Sequence, residues 1–206
     1  MTKTKHFSMI RSFHFADWFT LANAACGVGA LFAMMSYMQS PALVKLYLAC
    51  ALIPLALVFD ILDGRIARWR QQNSVLGIEL DSLADLISFG VAPVAIAFGA
   101  GMNGGWDVVI LIYFMVCGVS RLARYNVTAE SLAQVAARVE YFEGTPIPSS
   151  LVLVIIIAFS AGFGATGDQL WFGVTSLGPW QLHPLVLIFA LSGTLMISRT
   201  LHIPKL

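Results

Sequence analysis

Apolar and polar positions do not alternate along this chain; they fall into long blocks. Six apolar stretches lie at about residues 18–38, 43–64, 82–101, 107–125, 147–165 and 182–200. Each approaches the roughly 20 residues that a helix rising about 1.5 Å per residue needs to cross a bilayer. The breaks carry turn chemistry: Gln39-Ser40-Pro41, Gln71 to Ser74, Asn103-Gly104-Gly105, and the Gly- and Pro-containing stretch from Gly162 to Pro184. Residues 126–146 form a longer polar segment, with a short surface helix expected around Glu130 to Val139. In residues 1–17, Phe7, Ile10 and Phe13 recur at three-residue spacing among basic and polar positions, the pattern of a short amphipathic helix lying on the membrane surface. The pattern predicts an all-α integral membrane protein. Six transmembrane helices follow a short amphipathic interfacial helix, in one domain covering residues 1–206.

Composition sharpens this picture. Of 206 residues, 58% are hydrophobic and 11% charged, with mean hydropathy +0.81; a soluble domain carries about 25% charged residues. The net charge is +1, and the span flanks absorb the basic residues, so no stripe is left for a nucleic acid. Cys26, Cys50 and Cys117 all lie in apolar runs, where they read as small buried hydrophobes and not as a disulfide framework. His6, His14, His183 and His202 are scattered near span ends and read as interfacial side chains. Trp171 and Trp180, in the stretch from Ala165 to Leu182, read as interfacial anchors.

Six spans put both termini on one side together with the turns near 71–74 and 126–146. That side collects Lys3, Lys5, Arg11, Arg65, Arg68, Arg70, Arg121, Arg124, Arg138, Arg199 and Lys205, eleven of the twelve basic residues, leaving only Lys45 opposite. The positive-inside rule makes it the cytoplasmic side of a multi-pass protein of the cell (inner) membrane.

The candidate chemistry lies in Asp60 to Asp85, DILDGRIARWRQQNSVLGIELDSLAD, where acids sit beside membrane-length apolar runs. If spans two and three form a hairpin, Asp63 and Asp81 share a midpoint at position 72, and Asp60 and Asp85 at 72.5. The four carboxylates are then depth-matched. The spacings of three and four put each pair on one helix face, so the pairs can meet. Asp60 precedes Arg70 by ten residues, about 15 Å of helix, which places the cluster just below the interface, level with lipid phosphates. Four close carboxylates in a low-dielectric setting call for cations, and all-oxygen sites suit Mg2+ or Mn2+. Four acids can hold two divalent cations about 3.5–4 Å apart, an arrangement that clamps a phosphoryl group during in-line displacement. Gly64, Ala67 and Gly77 remove bulk beside the cluster, and Arg68, one turn beyond Gly64, can pair with a phosphate.

These residues meet every position of D-x2-D-G-x2-A-R-x8-G-x3-D-x3-D: Asp60, Asp63, Gly64, Ala67, Arg68, Gly77, Asp81 and Asp85. The chain therefore resembles the CDP-alcohol phosphatidyltransferase family. Three further stretches resemble members that use serine: Asp81 to Pro93, Arg121 to Asn126, and Phe142 to Pro148. The resemblance implies transfer of a phosphatidyl group from CDP-diacylglycerol to the hydroxyl of L-serine, within the lipid bilayer, by a homodimer. It implies that Asp60, Asp63, Asp81 and Asp85 are metal ligands and that Asp85 is also the general base. Gly64, Arg68, Ser74 and Asn23 match positions in the CDP-lipid pocket. Arg121, Arg124 and Asn126 are the candidates for holding the acceptor, with a guanidinium on its carboxylate. Gly144 to Pro148 would stiffen the start of span five and shape the pocket wall. Two other readings remain: the same donor with glycerol 3-phosphate, inositol phosphate or choline as acceptor, and a cation-coupled transporter. The second would place its acids near the bilayer midplane, commonly within inverted repeats, and neither feature is evident here.

Overall fold

The computed structural model describes residues 15–70, 75–135, 141–198 and 202–204. Among the described residues, four helices are long and apolar enough to cross a membrane: Phe15–Gln39, Leu43–Trp69, Leu76–Ala100 and Gly105–Val127. Two shorter apolar helices, Ile147–Gly162 and Pro184–Ile197, stand where the fifth and sixth spans are expected. At about 1.5 Å per residue they are about 24 and 21 Å long, less than a hydrocarbon core of about 30 Å. Their boundaries are local: Gly162 precedes an irregular turn, and Pro184 opens the last helix. The protein is an all-α membrane protein. The interfacial helix expected over residues 1–17 falls mostly outside the described residues, and Phe15 to Asp17 already belong to the first long helix.

Helices α1 (Phe15–Gln39) and α2 (Leu43–Arg70) pack along their length. Lipid tails are as apolar as leucine, so close packing of small residues carries this contact. Ala30, Ala49 and Ala56 are fully buried, and a Cβ on Gly29 would come within 3.3 Å of Leu52. Outward positions such as Phe32, Val44 and Val58 are exposed apolar side chains that face lipid. Lys45 donates from Nζ to the carbonyl oxygens of Ser36 (3.1 Å) and Ser40 (3.2 Å). It thereby adds a second donor to the Ser36 carbonyl, which also accepts the Ser40 N–H at 3.2 Å, and a cation there complements the helix dipole.

The third rod has two α-helical parts, α3 (Val75–Asp85) and α4 (Ala92–Ala100), joined by a π-helical turn over Leu86–Val91. Pro93 gives the physical reason. It has no N–H to donate to residue 89 and its ring would crowd that carbonyl, so the backbone widens before it. The Ala92 N–H accordingly donates to the Ile87 carbonyl, five residues back. Gly27 of α1 sits against this turn, where a Cβ would lie 2.7 Å from Ser88 Oγ.

Helix α5 (Gly105–Val135) runs unbroken for 31 residues. The separate surface helix expected around Glu130 to Val139 is therefore, up to Val135, the end of α5. Leaving the bilayer does not end a helix when the residues remain helix formers. The segment then pairs as a short strand, β1 (Tyr141–Glu143), and enters α6 (Ser150–Gly162) through a 3-10 turn at Ile147–Ser149. Strands β2 (Thr175–Leu177) and β3 (Trp180–Leu182) form an antiparallel hairpin before α7 (Leu187–Ile197), and β4 (His202–Pro204) pairs with β1. Gly144, at φ +74°, lies so close to α7 that a Cβ would approach the Met196 carbonyl to 2.4 Å. Only glycine fits that conformation and that gap.

His183 corrects an expectation. It is buried, not interfacial: its N–H donates to Asp107 Oδ1 (2.8 Å), and its Nδ1 lies 2.6 Å from Asp107 Oδ2. Asp107, in the first turn of α5, also accepts from the Gly104 N–H at 2.9 Å. One buried carboxylate thus fastens the start of α5 to the start of the last apolar helix, at the end of the protein away from the acidic hairpin.

Candidate active site

Asp60 and Asp63 stand near the end of α2, and Asp81 and Asp85 near the end of α3. One ligand oxygen from each of Asp60, Asp63 and Asp81 lies within 4.8 Å of the others. Asp85 joins them through side-chain contact with Asp60. The depth-matched acids therefore form one cluster. At an effective dielectric constant of about 20, each pair of unit charges at that separation repels by about 3 kcal/mol, or about 10 kcal/mol for three pairs. That rivals the whole stability of a folded domain, about 5–15 kcal/mol. The donor set is all oxygen, and Asp81 Oδ1 is buried with no hydrogen-bond partner. Both features fit hard divalent cations.

Helix α1 supplies a wall that sequence reasoning found only in part. Thr20 Oγ1 donates to Asp63 Oδ2 at 2.7 Å, and Asn23 Nδ2 donates to Asp85 Oδ1 at 3.1 Å. Ser88, on the π-helical turn, donates from Oγ to the Asn23 backbone carbonyl at 2.8 Å. Asp17 is buried one turn before Thr20, within electrostatic reach of Asp63. Asn23 was expected in the CDP-lipid pocket; it touches the acid cluster directly. Asp17 and Thr20 were not singled out. Polar residues three apart at 17, 20 and 23, in an apolar helix, are the signal that would have found them.

Gly64 and Ala67 lie on the α2 face beside the acids. A Cβ at Gly64 would meet the Arg68 guanidinium at 3.5 Å, so the guanidinium folds back over the glycine. Arg68 is exposed at the mouth of the site. Gly77 lies on α3, half-buried, and Ser74 lies outside the described residues. Of the acceptor candidates, Arg121 is half-buried on α5, within electrostatic reach of Asp85, with its guanidinium 6.0 Å from the centre of the Tyr125 ring. Arg124, one turn on, is half-buried beside it. Asn126 is occupied elsewhere: its Oδ1 accepts from Ser82 Oγ (3.1 Å) and its Nδ2 donates to Glu79 Oε2 (3.4 Å). It ties α5 to α3.

Residues 13–195 match the family described as CDP-alcohol phosphatidyltransferase. The chain is 42% identical to a CDP-diacylglycerol–serine O-phosphatidyltransferase of Saccharomyces cerevisiae, over 97% of this chain and 74% of that protein. It is 38% identical to proteins of the same name from Mycobacterium bovis, over 68% of this chain and 49% of the relative, and from Helicobacter pylori, over 69% and 56%. The chain thus spans about three quarters of the yeast relative's length and about half that of the two bacterial ones.

Proposed function

The chain belongs to the CDP-alcohol phosphatidyltransferase family, and from that premise we propose that it transfers the phosphatidyl group of CDP-diacylglycerol to the hydroxyl of L-serine, giving phosphatidylserine and CMP. The observation that carries the reading is the single cluster that Asp60, Asp63, Asp81 and Asp85 form, with Arg121 within electrostatic reach of it. The family is dependent on divalent metal ions, and the acidic cluster is present here.

In this reading the four aspartates hold two divalent cations, Mg2+ or Mn2+. Those ions, when bound, neutralise the pyrophosphate and offset the charge that develops during displacement. Thr20 and Asn23 fix the orientation of Asp63 and Asp85. Gly64, Ala67 and Gly77 leave room for the nucleotide end of the donor, and Arg68 pairs with its phosphates at the mouth. Ser74 completes that pocket. The acyl chains stay in the bilayer. The serine hydroxyl attacks the phosphorus that carries diacylglycerol while Asp85 takes its proton. The new P–O bond forms as the bond to the CMP phosphate breaks, and CMP leaves with the electron pair. Arg121, with Arg124 beside it, holds the serine carboxylate, and Asn126 acts by fixing α5 on α3.

The basic residues around the acidic end support a cytoplasmic site and cytoplasmic termini in a multi-pass protein of the cell (inner) membrane. The family resemblance supports a homodimer. Purified protein in lipid nanodiscs, given CDP-diacylglycerol, Mn2+ or Mg2+ and a panel of acceptors, tests the function. Phosphatidylserine and CMP in equal amounts are expected with L-serine. No lipid product from serine, with product from glycerol 3-phosphate, inositol phosphate or choline, would overturn the acceptor. No CMP release with any acceptor would overturn the chemistry.

A further inference from the structure

Among the described residues, seven buried side-chain polar atoms have no hydrogen-bond partner. One, His183 Nε2, lies at the far end, and two, Asn23 Oδ1 and Asp81 Oδ1, belong to the acid cluster. The other four are Arg121 Nε, Thr145 Oγ1, Ser149 Oγ and Ser150 Oγ. Leaving a buried donor or acceptor unpaired is costly, so four together mark a place that something polar fills.

The fold brings these four to one corner. A Cβ on Gly118 of α5 would lie 3.1 Å from Ile147 Cδ1, so that face of α5 packs on the 3-10 turn Ile147–Ser149. Arg121 is three residues on from Gly118, on the same face and one turn nearer the acidic end. Thr145 lies two residues before Ile147, its N–H tied to the Leu195 carbonyl at 3.3 Å. Ser149 closes the turn with its N–H on the Pro146 carbonyl (3.0 Å), and Ser150, fully buried, begins α6. The same 3-10 turn packs against the π-helical turn Leu86–Val91, which starts at the residue after Asp85.

We infer that Thr145, Ser149 and Ser150 form, with Arg121, the pocket for the charged end of the acceptor, and that they set its specificity for a small zwitterionic amino acid. The inference rests on the acceptor reading above. Hydroxyl oxygens accept from an ammonium group, while hydroxyl and guanidinium hydrogens donate to a carboxylate. Three neutral hydroxyls beside the Arg121 guanidinium suit a zwitterion, whose ammonium needs acceptors that a second cation could not supply. The hydroxyl of the bound acceptor then extends toward Asp85.

The test uses the full chain in nanodiscs with Thr145→Val, Ser149→Ala and Ser150→Ala, each paired where possible with a variant that keeps the hydroxyl, Thr145→Ser and Ser149→Thr. Each deletion is expected to raise the serine KM roughly tenfold or more, the size of one hydrogen bond to a charged ligand. The rise should far exceed any change in the CDP-diacylglycerol KM, and the hydroxyl-keeping variants should recover it. Preference for L-serine over ethanolamine, which lacks the carboxylate, should narrow with Ser149→Ala and Ser150→Ala. An unmoved serine KM would mean that only water fills the corner, and equal rises in both KM values would mean a structural role; either overturns the inference. If the wild-type chain makes phosphatidylserine and the variants match it, only this inference fails. If the wild-type chain does not use serine at all, the acceptor reading fails first.

Discussion

Thr20 makes the sharpest test of how the acid cluster is held. Its hydroxyl is buried in α1 and donates to Asp63 Oδ2 at 2.7 Å, so Thr20→Val removes one hydrogen bond while keeping the β-branched shape. No cavity opens, and the change isolates orientation from packing. A hydrogen bond to a charged group contributes about 1.5–3 kcal/mol. Loss of a group that orients a metal ligand typically costs about 10–100-fold in metal affinity or activity. The two scales agree, since about 1.4 kcal/mol is a factor of ten. Mn2+ titration followed by electron paramagnetic resonance should therefore show affinity weakened by about tenfold or more, with turnover falling in step at subsaturating Mn2+ and recovering as Mn2+ is raised. Thr20→Ser, which keeps the hydroxyl, should bind Mn2+ nearly as the wild type does. Unchanged affinity in Thr20→Val would refute the claim that α1 positions Asp63, and turnover lost with affinity intact would move Thr20 from the cation site to the reaction itself.

Three further outcomes are expected. Asp85→Asn should lower turnover by about 10²–10⁴-fold, the usual worth of a general base, in a CMP-release assay; near-normal turnover would remove Asp85 from that role. Asp107→Asn should cost about 3 kcal/mol, since a buried carboxylate that accepts two backbone N–H groups and meets the His183 ring nitrogen loses part of that network. It should appear as a Tm lowered by several degrees, with turnover per folded molecule retained. Gly27→Val should impair assembly and activity together, because even a first carbon there would sit 2.8 Å from the Ser88 Cα, a backbone atom that cannot swing aside; a stable, active Gly27→Val would mean that α1 stands further from the π-helical turn.

Much of the site was legible because helix geometry is periodic and a hairpin is a mirror. Two aspartates at spacing three, two at spacing four and a polar tetrad between them suffice to bring four carboxylates together. What stayed hidden depended on partners distant in sequence. Thr20 meets Asp63 across 43 positions, and the polar spacing at 17, 20 and 23 marks a face of α1 without revealing which acids it meets. Asp107 and His183 are 76 positions apart, and each alone resembles an interfacial side chain. The contacts of Asn126 were hidden for a similar reason, since sequence adjacency to Arg121 does not reveal that its amide meets Ser82 and Glu79. The last two apolar helices were read as longer because hydropathy averages over Gly162 and Pro184, whereas backbone geometry stops at them.

The π-helical turn between Asp85 and Ala92 also sets a phase. An α-helix advances about 100° per residue, and a π turn accommodates roughly one residue more than the α-helical turn it replaces. The stripe carrying Asp81 and Asp85 is thereby rotated about 100° relative to the face that Phe89, Ala92 and Ile96 bury in the core. Deleting a single residue within Leu86–Val91 would let the rod close into regular α-helix with both faces in place, because the wider turn takes up its extra residue with almost no added rotation. Closing the turn into α-helix without that deletion would instead swing both aspartates by about 100° away from Asp60 and Asp63. The register between a lipid-embedded packing surface and a reaction centre is thus held by one widened turn, which absorbs a residue that a regular helix would convert into rotation.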